Sequence, residues 1–64
     1  MWTVVYIAPT KKLAEKMERT LADEGVLVNL RPTNPDSERS SVEILVLESE
    51  AEEAHEIINQ VLAT

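Results

Sequence analysis

Apolar positions follow two rhythms along the chain, one of strand type and one of helix type. Trp2 to Ala8 (WTVVYIA) is short, β-branched and aromatic and stops at Pro9, so it reads as a strand. Thr10 then offers a hydroxyl to the free amides of a first helical turn. Leu13, Ala14, Met17 and Leu21 recur at helical spacing, with Lys12, Glu15, Lys16, Arg19 and Asp23 mostly on the other side. Gly25 is the stop, because glycine accepts the left-handed conformation at little cost, and the spacing predicts a helix over about 10–24. Val26 to Arg31 (VLVNLR) is a second strand whose pairing Pro32 limits. Residues 32 to 41 (PTNPDSERSS) read as a solvated connection, and Val42 to Leu47 (VEILVL) as a third strand. Ser49 with Glu52 three residues on reads as a capping box. Ala51, Ala54, Ile58, Val61 and Leu62 continue at helical spacing, and Glu50, Glu52 and Glu53 favour the positive end of the dipole. These predict a second helix over about 50–62.

The order β-α-β-β-α fixes a fold class. The third strand can slot between the first two, antiparallel to both, which gives a three-stranded antiparallel sheet of order 1-3-2 with two helices on one face. The expected architecture is a single α+β domain over residues 1–64, a ferredoxin-like plait lacking its last strand. Side chains alternate across a strand, so the helices must cover the more apolar set. Thr3, Val5 and Ile7, with Val26, Val28 and Leu30 and with Val42, Ile44 and Val46, are assigned to the core. The opposite face collects Trp2, Val4 and Tyr6, then Leu27, Asn29 and Arg31, then Glu43, Leu45 and Leu47. The reverse allocation of faces stays open on the pattern alone. A face with both aromatics and several aliphatics, and no helix left to cover it, calls for a partner. Trp2, Val4, Tyr6, Asn29, Arg31, Glu43, Leu45 and Leu47 are therefore the candidate binding residues, for a second copy of the chain or for a different protein.

Length and charge sharpen this picture. A chain of 64 residues supports one small core, and natural domains of this size usually draw on disulfides, a metal or a partner subunit. Cysteine is absent and His55 is the only histidine, so self-association is the expected support, as a homodimer. No apolar run approaches the roughly 20 residues that cross a bilayer, and Met1 to Ala8 lacks a basic leader, so the expected compartment is the cytoplasm. Residues 1–32 carry a net charge of +1 and residues 33–64 one of −7, for −6 in all. Such a balance repels phosphates, so neither nucleic acid nor an anionic membrane is an expected partner.

Catalytic chemistry finds no foothold in the pattern. A lone imidazole at His55 makes neither a triad nor a metal site. Glu50, Glu52, Glu53 and Glu56 fall on a helix with no cleft predicted above them and read as a solvated face. Gly25 alone makes no phosphate loop. The chain is expected to be no enzyme and to need no cofactor. One turn, Ala8 to Lys12 (APTKK), could hold an anion, because a strand feeding a helix N-terminus offers free amides beside Lys11 and Lys12. The competing reading of that turn is simple helix capping.

The opening WTVVYIA, the helix ending LADEGVLVNL and the closing SEAEEAHEIINQVL together resemble the small prokaryotic signal-transducing family. The resemblance spans most of the chain outside residues 32–41. It implies a compact bacterial α/β module with a signalling or regulatory role, and carries no catalytic residues over. Short chains similar to this one sometimes bear the name glutamate decarboxylase. That activity requires a Schiff-base lysine in a large pyridoxal-phosphate pocket, which a core this small cannot enclose.

Overall fold

The computed structural model describes residues 1–34 and 40–63. In chain order they form β1 (Trp2–Ala8), α1 (Lys11–Asp23), β2 (Val28–Pro32), β3 (Val42–Leu47) and a 3-10 turn (Glu48–Glu50) that runs into α2 (Ala51–Ala63). The strands make one antiparallel sheet of order β1-β3-β2, which is the α+β arrangement expected from the pattern. Residues 35–39 of the expected solvated connection lie outside the described residues. Its ends are tied together: the Thr33 N–H donates to the Ser41 carbonyl at 2.9 Å, and the Thr33 hydroxyl donates to the same oxygen at 3.1 Å.

The core lies on one side of the sheet. Val42, Ile44 and Val46 of β3 cluster with Ala14, Met17 and Leu21 of α1 and with Ala54, Ile57 and Ile58 of α2. Both helices thus bury their apolar stripes against the same face. The dimensions agree, since extents of 31 × 30 × 15 Å suit one helix layer on one sheet, with layers about 10 Å apart. Among the described residues every buried side chain is apolar.

Helix α1 is closed at both ends by local chemistry. Thr10, in extended conformation, accepts a hydrogen bond on its hydroxyl from the Leu13 amide at 3.1 Å. At the other end Gly25 stands at φ +84°, its N–H donating to Ala22 and that of Val26 to Leu21, both at 3.0 Å. This pair of bonds is a Schellman motif, and the buried Val26 and Leu21 supply its hydrophobic contact. A Cβ at Gly25 would meet nothing within 4 Å, so only the backbone conformation resists substitution.

Three expectations need correction. Val26 does not begin the second strand, because the Schellman motif takes its amide; β2 starts at Val28. Ser49 does not cap α2, because it lies inside the 3-10 turn that leads into the helix, while Leu47 holds the N-cap position of that turn without a side-chain bond. On α2, Ile57 rather than Leu62 faces the core; Leu62, near the helix end, is 48% exposed.

The fourth correction concerns β1. Its register with β3 runs Trp2 to Leu47, Thr3 to Val46 and Val4 to Leu45, then slips by one residue so that Tyr6 meets Ile44, Ile7 meets Glu43 and Ala8 meets Val42. Val5 is the extra residue of a β-bulge. Past it every side chain changes sides, since a one-residue slip exchanges the two faces. Tyr6 therefore packs against the core beside Val5, and Ile7 stands on the open side, 52% exposed.

Thr10→Ala is expected to lower stability by about 1 kcal/mol, through loss of the cap. Gly25→Ala is expected to cost about 1 to 2 kcal/mol through left-handed strain, whereas Ser49→Ala should stay within about 0.5 kcal/mol of the parent. Urea denaturation measures all three, and a Ser49→Ala loss as large as that of Thr10→Ala would contradict the 3-10 entry into α2.

Candidate functional site

Antiparallel partners share a face, so the register defines the side of the sheet without helices. β1 contributes Trp2, Val4 and Ile7; β3 contributes Glu43, Leu45 and Leu47; β2 contributes Asn29 and Arg31. Leu27 stands exposed just before β2. Leu45 sits in the middle, paired to Val4 on one side and Asn29 on the other, and is only 7% exposed although no helix covers it. Its neighbours do not fare as well: Trp2 is 44% exposed and Val4 38%.

The face is divided lengthwise. Over β1 and β3 runs an apolar ridge of Trp2, Val4, Ile7, Leu45 and Leu47. Over β2 runs a polar strip of Asn29 and Arg31 that reaches β3 at Glu43, where the Arg31 Nε donates to the Glu43 Oε1 at 2.7 Å. That hydrogen bond, with the Glu43 charge behind it, raises the Arg31 guanidinium pKa further above its ordinary value. The pair is solvent-exposed on the Arg31 side, so it adds little to stability and serves chiefly to neutralise both groups.

The structure brings together Trp2, Val4, Asn29, Arg31, Glu43, Leu45 and Leu47 of the residues expected on this face. Tyr6 is the exception, turned to the helix side by the bulge, and Ile7 takes its place. Alternation could not foretell the exchange: Val4, Val5, Tyr6 and Ile7 are all apolar, so no polar residue marks where the phase changes.

Other candidate groups lie apart from this face. At the Ala8 to Lys12 turn, the Thr10 hydroxyl already engages the Leu13 amide, one of the donors an anion would use. The outer side of α1 forms a shallow groove edged by Lys12, Glu15, Lys16, Arg19 and Asp23, which mixes both signs of charge. His55 is exposed on α2. Among the described residues no three His, Asp or Glu side chains gather as metal ligands, and no helix is long and apolar enough to cross a membrane.

No protein-family model, curated protein or solved structure matches this chain.

The face assignment is tested by placing the same charge on two adjacent residues. Tyr6→Lys puts an ammonium group against the core and is expected to remove several kcal/mol of stability. Ile7→Lys, at an exposed position of an edge strand, should cost about 1 kcal/mol or less. Thermal unfolding of both variants and the parent, diluted until the midpoint no longer depends on protein concentration, would contradict the bulge if Ile7→Lys proved the more damaging.

Proposed function

We propose that the chain is a non-catalytic binding or regulatory module that acts through the open face of its sheet, in the signal-transducing role its family resemblance implies. The observation that carries this reading is the uncovered ridge of Trp2, Val4, Ile7, Leu45 and Leu47. A contiguous apolar surface with a polar margin is the usual form of a protein contact site. The chemistry-bearing side chains of α2 fit the same view, since His55, Glu52, Glu53 and Glu56 all stand exposed on that helix. A cytoplasmic setting belongs to the same proposal. The rival reading, an anion sensor at the Ala8 to Lys12 turn, has weaker support because Thr10 caps the helix there.

A photo-crosslinking residue placed at position 7, compared with one at Glu53 on the helix side, tests the proposal in cells. Protein adducts are expected from position 7 and not from position 53. Adducts confined to position 53 would transfer the binding surface to the helices and overturn the reading.

A further inference from the structure

We infer that the occupant of the open face is a second copy of this chain, packed sheet against sheet about a two-fold axis. The inference rests on the open-face reading above and commits it to one partner.

Shape restricts the choices first. A stable interface buries roughly 800 Å² on each partner. The domain is a slab of 31 × 30 × 15 Å, so its two broad sides can supply that area and its narrow rims cannot. One broad side is the helix layer, which carries exposed Glu52, Glu53 and Glu56 on α2 and exposed Lys12, Glu15 and Lys16 on α1. The other is the sheet face with its apolar ridge.

Charge points the same way. The chain carries −6, and two copies should repel wherever that charge is concentrated. The three strands contain only two charged residues, Arg31 and Glu43, and these neutralise each other. The net charge therefore resides entirely outside the sheet. Face-to-face packing joins the two neutral surfaces and keeps both helix layers outermost, the greatest separation the slab allows.

The sheet edges exclude the simplest alternative, a strand-to-strand dimer. β1 is interrupted at Val5 by the bulge, which twists the strand and breaks the regular ladder a new strand would need. The other edge ends in Arg31 and Pro32, and proline has no amide to donate. With both edges blunted, the broad face remains.

The ridge is also suited to self-matching. It lies over β1 and the central strand β3, offset toward the β1 edge, with Asn29 and Arg31 along the other side. A two-fold axis through the ridge lays Trp2, Val4, Ile7 and Leu47 of one copy on the same residues of the other, leaving the polar strip as a rim. Leu45, nearly buried already, forms the floor.

Sedimentation velocity across low to high micromolar concentrations tests the inference on the parent chain, on Ile7→Lys and Val4→Lys, and on Glu53→Lys as a helix-side control. The expected result is a dimer in the parent and in Glu53→Lys, and a monomer in both ridge variants with their far-ultraviolet circular dichroism unchanged. Association should hold or tighten as salt rises from about 0.05 to about 0.5 M, because screening removes repulsion between like-charged copies. A parent that stays monomeric throughout overturns the second copy as occupant. So does a dimer that persists in both ridge variants, or one that dissociates with salt. Crosslinks from position 7 to a different protein would then keep the open-face reading, and their absence would remove both.

Discussion

Two helices can cover only one face of a three-stranded sheet, and the central strand β3 has to live with both faces. On the helix side Val42, Ile44 and Val46 meet the apolar stripes of α1 and α2 and form the core. On the other side Leu45 is flanked by its cross-strand partners Val4 and Asn29 and reaches near-burial with no helix above it. Burial there is won at the expense of those neighbours, because the side chains that shelter Leu45 stand partly in water themselves. The incomplete cover of β3 is the source of the candidate site.

The bulge at Val5 shapes both sides of that imbalance. It turns Val5 and Tyr6 together toward the helices, where the tyrosine ring adds bulk to a core of small and aliphatic residues, and it brings Ala8 into full burial opposite Val42. The same slip moves Ile7 outward and lengthens the apolar ridge at its far end. A bulge on an edge strand also discourages further strand pairing. One local irregularity thus improves the core, extends the open surface and protects the edge.

How much of this could be read from the residues depends on whether local signals were unique. Strands β1 and β3 stand between breakers and show in the pattern at their observed bounds. Helix α1 is bracketed by Thr10 and Gly25, whose chemistry permits few other roles. Where one residue type serves two purposes the pattern misleads: Val26 looks like the first strand residue but closes the Schellman motif, and Ser49 matches a capping box but enters a 3-10 turn. The candidate site was legible where polar residues break the alternation, as Asn29, Arg31 and Glu43 do on β2 and β3. It failed at Tyr6 and Ile7, where four successive apolar residues conceal a change of phase.

Trp2 is the only tryptophan in the chain, and it stands on the ridge at 44% exposure. Its fluorescence therefore reports directly on whether the open face becomes covered by another copy. Emission wavelength and acrylamide quenching, followed from low to high micromolar protein, measure that coverage without any substitution. A blue shift and falling quenching with concentration are the expected result. Emission and quenching that stay constant across that range, at values typical of a half-exposed indole, would contradict the account.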